Sequence, residues 1–232
     1  MPAFNEAAEL PRLLNSVQAS FADLGRSDFE VVVCDNNSSD GTADIARQHG
    51  ARVVFEGHNQ ISRARNTAAE AARGQWFIFI DADSVLPPEL LSATLAAVAS
   101  TRVIGGGARV AFDRQAIPAY IRLGLGLWNG LSRLMSWAAG SYIFCTRQAF
   151  VEAGRFDERL YASEEIALSR RLKRVARKER KQFRILLRTP VITSARKADQ
   201  YSFAQTISQV LTCAWPGSLR RRDRCGFWYR RE

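Results

Sequence analysis

The sequence predicts an α/β protein in which a mostly parallel central sheet is covered by helices on both faces. Continuous apolar runs rich in valine and phenylalanine alternate with segments of helical periodicity, a pattern typical of parallel sheets that are buried on both faces. The chain has 232 residues, which suits one large α/β domain or one domain with an appendage. Hydrophobic residues make up 47% of it, enough to bury a core.

The first half of the chain supplies three of these strands and three helices. Apolar runs predict strands at residues 29–34, 51–55 and 76–80. Helices rich in alanine and arginine are expected at 42–49 and 62–73. No apolar strand precedes the turn at 2–6, so either the sheet lacks a strand at this edge or translation starts further upstream. An earlier helix is indicated by five residues on one helical face: Leu10, Leu13, Leu14, Val17 and Phe21.

The second half is less regular. A helix is expected at 88–99, where Pro88 is tolerated in the first turn. Three glycines at 105–107 suggest a loop leading into a strand that ends near Phe112. Residues 115–135 are apolar but irregular. A further strand is predicted at 140–146 and a helix at 164–175.

The composition narrows the classes of function. The chain carries 33 Lys and Arg against 23 Asp and Glu, a net charge of +10, which favours anionic partners such as nucleotides or phospholipid surfaces. The four cysteines form no CxxC pair and the two histidines have no zinc-like spacing, so we expect buried free thiols and no zinc site. We see neither a signal peptide nor a membrane-spanning segment. No RNA-recognition motif is visible, so nucleic acid is not the expected partner.

Acidic residues follow two of the predicted strands at the point where each strand ends. Asp35 follows the strand at 29–34, and Asp81 and Asp83 follow the strand at 76–80. Ligands bind beyond the carboxyl ends of the strands in open parallel sheets, so we expect these acids to face one crevice. Crowded carboxylates repel unless a cation intervenes, and hard oxygen ligands suit Mg²⁺ or Mn²⁺ with phosphate oxygens completing the shell. The alternative is that residues 81–84 form only a turn or a helix cap.

Six motifs in a fixed order carry a resemblance to a known family. They are PAFNE at 2–6, CDNNSSDGT at 34–42, ARN at 64–66, FIDADS at 79–84, GRFDE at 154–158 and SEEIALSRRL at 163–172. In this order and spacing the sequence resembles an inverting family 2 glycosyltransferase of the GT-A fold, over residues 1–195. Such an enzyme, a hexosyltransferase-like transferase, moves a sugar from a nucleotide-diphosphate donor to an acceptor.

The resemblance implies a role for each residue of the donor side. Phe4 matches the aromatic position against the nucleobase, where stacking is physically reasonable. Glu6 and Asp35 match acids of the nucleotide pocket, and Arg65 matches a basic position near the nucleotide, for which Arg63 is an alternative. Asp81 matches the acid that faces the ribose or bridges to the metal. Asp83 matches the acid that binds Mn²⁺ or Mg²⁺ directly.

The acceptor side is matched less closely. Glu165 corresponds to the second acid of the family's Glu-Asp pair, the general base that deprotonates the acceptor hydroxyl. A glutamate is one methylene longer than the aspartate, and Glu164 is the alternative base. Many members place a histidine after the last core strand to complete the metal shell, but residues 191–197 here read VITSARK. Thr193, Ser194 or water could take that place.

A C-terminal appendage follows the transferase domain, which we assign to residues 1–197. Residues 198–232 combine an amphipathic helix with a basic, aromatic-rich tail. This combination suits an anionic membrane surface, whereas the alternative is that the helix packs on the core and the arginines are solvated. We expect a cytoplasmic protein, which membrane contact would hold peripherally at the inner face of the membrane. The acceptor could then be a lipid or lipid-linked molecule.

Two hypotheses for the function follow. In the first, the chain is an inverting, metal-assisted transferase that uses a UDP- or GDP-linked sugar. In the second, it is an inactive glycosyltransferase-like module that binds nucleotide sugars, as the absent histidine and the glutamate at 165 suggest. Hydrolysis of the donor with Mn²⁺ or Mg²⁺, lost on substitution of Asp83, separates the two.

Overall fold

The computed structural model describes residues 1–114, 117–196, 217–225 and 229. Its strands, in chain order, are β1 (Pro2–Ala3), β2 (Val32–Asp35), β3 (Arg52–Phe55), β4 (Trp76–Ile80), β5 (Ser84–Val85), β6 (Val103–Phe112), β7 (Tyr142–Thr146) and β8 (Gln182–Thr193). Its α-helices are α1 (Leu10–Asp23), α2 (Thr42–Gln48), α3 (Ile61–Ala71), α4 (Pro88–Ala99), α5 (Ala119–Met135), α6 (Arg147–Glu152) and α7 (Glu164–Lys178).

The strands form two sheets. The first has the order β1-β2-β3 and is parallel throughout. The second has the order β4-β7-β6-β8-β5, in which β6 and β8 are parallel and the other pairs are antiparallel. An apolar cavity of about 720 Å³ lies between β2 and β4. The sequence shows no apolar strand before the turn at 2–6. In the structure the two residues of β1 form the edge strand of the first sheet.

Helices cover both faces of each sheet, because successive side chains of a strand point to opposite faces. In the first sheet Val33 packs with Leu10 and Leu14 of α1, whereas Val32 and Cys34 pack on α3. In the second sheet one face packs on α7 and the opposite face on α4. The predicted α/β class with helices on both sides of a parallel sheet is confirmed.

Two regions differ from the sequence prediction. Gly105, Gly106 and Gly107 lie inside β6 rather than in a loop. A Cβ atom at Gly105 would approach the carbonyl oxygen of Phe144 to 2.5 Å, so the glycines allow close approach of the neighbouring strands. The irregular stretch after residue 115 contains helix α5, whose three glycines lower its helix propensity and obscured its periodicity.

The described part of the C-terminal region consists of two short 3₁₀ helices, Ser218–Arg220 and Arg222–Arg224, and of Tyr229. The predicted amphipathic helix after residue 198 lies outside the described residues. In the described ranges no helix is both long and apolar enough to cross a bilayer. Cys34, Cys145 and Cys225 are buried and free, as expected, and Cys213 lies outside the described ranges.

Candidate active site

The loops that follow β1 and β2 are bonded to each other at one edge of the first sheet. The backbone NH of Asn5 donates to Ser38 Oγ at 3.0 Å, and the NH of Glu6 donates to Thr42 Oγ1 at 2.8 Å. Asn5 adopts a left-handed conformation with φ of 51°, which asparagine tolerates better than most residues. These bonds fix Phe4 and Glu6, which the sequence assigned to the nucleotide pocket, beside the end of β2.

A polar cleft of about 210 Å³ opens where β1 and β4 end. It receives residues from the loop after β4, from the start of α3 and from the start of α7. Nearly all the residues predicted from the sequence line this cleft, although they come from four separate parts of the chain: Phe4, Glu6, Arg65, Asp81, Asp83, Glu164 and Glu165.

Arg65 is the structural centre of the cleft. Its guanidinium is only 2% exposed and donates to Glu164 Oε1 at 2.6 Å and to Asp81 Oδ1 at 2.7 Å. A third bond joins it to the carbonyl oxygen of Gly140 at 2.8 Å. Burial acts against the positive charge, but the neighbouring carboxylates outweigh it and raise the pKa of Arg65 above its ordinary value. Arg65 therefore joins the Asp-x-Asp loop to the acidic start of α7.

The two glutamates of α7 have different surroundings. Both lie in the first turn of the helix, where the helix dipole favours carboxylates. Glu164 is 4% exposed and its carboxylate is bonded to Arg65, whereas Glu165 is partly exposed on the cleft wall. Removal from bulk water, together with the charge of Glu164, raises the pKa of Glu165 to about 8. Glu165 is thus a basic carboxylate held at the cleft surface.

Asp83 lies beside the segment where the family would place a histidine. The backbone NH of Ser194 donates to the carbonyl oxygen of Asp83 at 3.0 Å. Two residues further on, Arg196 pairs with the buried carboxylate of Glu6 at 3.1 Å. Partial burial opposes the charge of Arg196, but Glu6 and then Asp83 raise its pKa. Residues 191–196 therefore carry a guanidinium group that pairs with Glu6, rather than an imidazole.

Asp35 takes a different position from the other predicted acids. Its Oδ1 accepts a bond from the backbone NH of Ser38 at 3.0 Å, and Asp35 is not among the residues that line the cleft. Asn36, the next residue, lines the cleft instead. Its side-chain amide donates to the carbonyl oxygens of Glu56 and His58, which fixes the loop after β3.

Sequence reasoning missed Tyr229. Its hydroxyl accepts a bond from the backbone NH of Ile61 at 3.3 Å, and its ring meets that of Tyr161 edge-on at 5.6 Å. The neighbouring 3₁₀ segment is attached by a bond of 2.7 Å from the NH of Tyr161 to the carbonyl oxygen of Leu219. Tyr229 lines the cleft, 64 positions after Glu165 in the sequence, and no local motif marks it.

The carboxylates of the cleft suit a hard divalent cation only if a bound substrate supplies further oxygen ligands. Within the described residues, no group of three or more His, Cys, Asp or Glu side chains is arranged to hold a metal ion. Asp81 is bonded to Arg65, and Asp83, two residues further on, lines the same cleft. One or two carboxylates combined with substrate phosphates is the usual arrangement for Mg²⁺ in nucleotide enzymes, so the residues fit such an ion.

An Asp-x-Asp loop after a buried strand, opposite an acidic helix start, is the arrangement of nucleotide-sugar-dependent transferases with the GT-A fold. The family model described as glycosyl transferase family 2 matches residues 1–122, which is more than half of the chain. The chain belongs to this family, as the six motifs predicted.

Two relatives show how far the sequence similarity extends. Glycosyltransferase AglE of Haloferax volcanii is 33% identical over 118 residues, which is 48% of this chain and 38% of AglE. The undecaprenyl-phosphate 4-deoxy-4-formamido-L-arabinose transferase of Pseudomonas aeruginosa is 38% identical over 96 residues, which is 38% of this chain and 28% of that enzyme. The chain therefore spans less than two fifths of the length of these relatives.

A solved structure confirms the fold over a longer range. Glucosyl-3-phosphoglycerate synthase from Mycobacterium tuberculosis, in complex with Mn²⁺, UDP and phosphoglyceric acid, superposes with a TM-score of 0.59. The match covers 97% of this chain and 76% of the synthase at 17% identity. At this identity the likeness establishes the GT-A fold.

Proposed function

We propose that the chain is an inverting glycosyltransferase that moves a sugar from a nucleotide-diphosphate donor to an acceptor hydroxyl. The observation that carries the proposal is the convergence of Asp83 and Glu165 on one cleft, with Arg65 connecting the elements that bear them. UDP- and GDP-linked sugars are the expected donors from the family resemblance. The M. tuberculosis synthase, which was solved with UDP, supports the first of these.

On the donor side, Phe4 offers an aromatic face for the nucleobase and Asn36 lies beside it on the cleft wall. Asp81 is oriented by Arg65 and would contact the ribose or the diphosphate end of the donor. Asp83 would hold Mg²⁺ or Mn²⁺ together with the diphosphate oxygens. Such an ion supplies charge neutralisation for the departing nucleoside diphosphate. Arg196 pairs with Glu6, which lines the cleft, and so balances the negative charge of that carboxylate.

On the acceptor side, Glu165 serves as the general base. The acceptor oxygen attacks the anomeric carbon and passes its proton to Glu165, while the bond between the anomeric carbon and the diphosphate oxygen breaks. Glu165 is a better candidate than Glu164, because the carboxylate of Glu164 is buried and bonded to Arg65. Glu164 then acts as a positioning residue that fixes the first turn of α7 against Arg65.

The second candidate is an inactive module that binds nucleotide sugars. The absence of a preformed metal cluster among the described residues, and the bond from Arg65 to Asp81, favour it. Both candidates require the donor to bind in the cleft, so binding alone cannot distinguish them. Turnover of the donor is required only by the transferase.

Release of nucleoside diphosphate from a panel of UDP- and GDP-sugars, measured with Mn²⁺ and with EDTA, tests the proposal. We expect Mn²⁺-dependent turnover by the unmodified chain and loss of turnover in Asp83→Ala. Asp44→Ala is the matched control, because Asp44 is an exposed carboxylate of α2 outside the cleft. Donor binding with no turnover, with or without candidate acceptors, would establish the inactive module instead.

A further inference from the structure

Helix α5 presents an apolar face that no other described element covers. Ten large apolar side chains are exposed in the described part of the chain, and five of them lie on this helix. Leu123, Leu127 and Leu134 are 65%, 67% and 80% exposed. Leu123, Leu127 and Leu131 follow one another at intervals of four residues, so they form a continuous stripe along one side of the helix. We refer to Leu123, Leu127, Leu131, Leu134 and Met135 as the α5 stripe.

The opposite side of α5 is packed on the protein. Leu125 and Trp128 contact the core on the α4 side of the second sheet, and Ser132 is buried. The side chain of Asn129 receives a bond from the NH of Val110 at 3.0 Å and donates to its carbonyl oxygen at 3.0 Å. The helix is therefore attached firmly to β6, and its stripe points outwards.

Basic residues adjoin the C-terminal end of the stripe. Lys173 of α7 donates to the carbonyl oxygen of Met135 at 2.6 Å, and the guanidinium of Arg170 lies 4.7 Å from the centre of the Trp137 ring. Arg133 contributes a further exposed positive charge from α5 itself. The sequence has no acidic residue between Asp113 and Glu152, so this surface segment carries positive charge only.

We propose that α5 lies in the interface of an anionic phospholipid bilayer, with the α5 stripe inserted among the acyl chains and the adjoining basic residues on the headgroups. Amphipathic helices with an apolar stripe and adjoining Arg or Lys bind membranes in this orientation, parallel to the surface. Pairing of two α5 stripes between copies of the chain is less favourable, because it would bring basic residues of both copies together. A bilayer instead supplies opposite charge.

The position of α5 connects this surface to the cleft. Gly140 and Ser141 line the cleft and follow the end of α5 by only a few residues. A chain bound through the stripe would hold its cleft close to the headgroup layer. Membrane binding by α5 requires only its exposed apolar side chains and its positive charge, and it does not require the proposed transferase activity.

Flotation with vesicles tests the proposal. The full chain should float with vesicles of phosphatidylglycerol and phosphatidylcholine and bind pure phosphatidylcholine much less. The triple variant Leu123→Ser, Leu127→Ser, Leu134→Ser should lose affinity by about tenfold or more for each leucine that inserts. Phe55→Ser with Leu187→Ser is the matched control, because these two exposed apolar residues lie elsewhere, and it should bind as the unmodified chain does. Circular dichroism verifies that each variant is folded.

Two further measurements make the outcome decisive. Arg170→Glu with Lys173→Glu should weaken binding to anionic vesicles and abolish the preference for phosphatidylglycerol. Light scattering coupled to size exclusion tests for a dimer. The proposal is overturned if the unmodified chain does not bind anionic vesicles, or if the triple variant binds them equally well. If the unmodified chain forms a dimer and does not bind vesicles, and if the triple variant is monomeric, the α5 stripe is a self-association surface.

Discussion

The cleft and helix α5 meet near Gly140, but their side chains differ in what they contact. In the cleft, buried charges are bonded to one another, and Arg65 alone joins Asp81, Glu164 and the backbone at Gly140. On α5, large apolar side chains are exposed without cover from the described part of the chain. The cleft is the proposed site of the nucleotide sugar, and the exposed face of α5 is the proposed membrane-binding surface.

From this difference we expect that mutations can change one surface without affecting the other. The bonds within the cleft do not involve the exposed leucines, and α5 is fixed to β6 through its opposite face. Substitutions in the cleft should therefore change chemistry and folding stability without changing membrane binding. Substitutions in the α5 stripe should have the reverse effect.

The largest expected effect is that of Glu165→Gln. The amide has nearly the shape of the carboxylate but cannot accept the acceptor proton, so kcat should fall by roughly 10²–10⁴-fold. Vesicle binding by Glu165→Gln should stay unchanged. The triple serine variant of α5 should lose vesicle binding but keep its kcat with a water-soluble acceptor. Steady-state transfer kinetics together with flotation measure both. Equal loss of both properties in either variant would show that the two surfaces are coupled.

The next effect concerns folding stability. Arg65→Met leaves the buried carboxylate of Glu164 without its cation, and removing one member of a buried pair costs about 3–5 kcal/mol of unfolding free energy. Arg47→Met removes one member of the exposed pair with Asp44 and should cost less than about 1 kcal/mol. Urea unfolding followed by circular dichroism measures both values. If the two variants lose similar stability, Arg65 does not hold the cleft together.

The pH dependence of catalysis sharpens the assignment of the base. A base acts in its deprotonated form, and burial with the charge of Glu164 raises the pKa of Glu165 to about 8 in the free protein. The value of kcat/KM should therefore rise with pH below about 8 and level off above it. Glu164→Gln removes one cause of the raised pKa and should move the rise to lower pH. A profile that is flat between pH 6 and about 9 would exclude Glu165 as the base.

The smallest effect is expected at Tyr229. Tyr229→Phe removes the acceptor of the Ile61 NH, a bond worth about 1 kcal/mol, so KM for the donor should rise by less than about tenfold. Tyr229→Ala removes the ring from the cleft wall and should raise KM further. Tyr120→Phe, on α5 and outside the cleft lining, serves as the control and should leave KM unchanged. Unaltered KM in both Tyr229 variants would remove this residue from the donor site.

Much of the donor side could be predicted from local sequence. The carboxyl ends of buried strands locate acids such as Asp81 and Asp83, and an acidic helix start locates Glu164 and Glu165. The roles of these residues stay predictions until the kinetic tests above. The bond from Arg65 to Glu164 spans 99 positions. The sequence therefore could not indicate that Glu164 pairs with Arg65 while Glu165 faces the cleft.

Other features depended on packing that sequence patterns do not report. Three consecutive glycines at 105–107 suggested a loop in the sequence. In the structure they lie where a side chain would collide with neighbouring strands, and these strands are distant in sequence. Tyr229 reaches the cleft through contacts with Ile61 and Tyr161, which no motif encodes. The exposed face of α5 was hidden because glycines interrupt its periodicity, and an apolar residue in sequence gives no sign that it is exposed.

Donor binding measured by isothermal titration tests whether Asp83, after β4, holds the nucleotide sugar in the cleft while Glu165, at the start of α7, serves the acceptor instead. We expect UDP- or GDP-sugar to bind the unmodified chain with Mn²⁺ and to bind Asp83→Ala at least about tenfold more weakly, with little change in Glu165→Gln. A chain that binds no nucleotide sugar, or an Asp83→Ala variant that binds as tightly as the unmodified chain, would contradict the account.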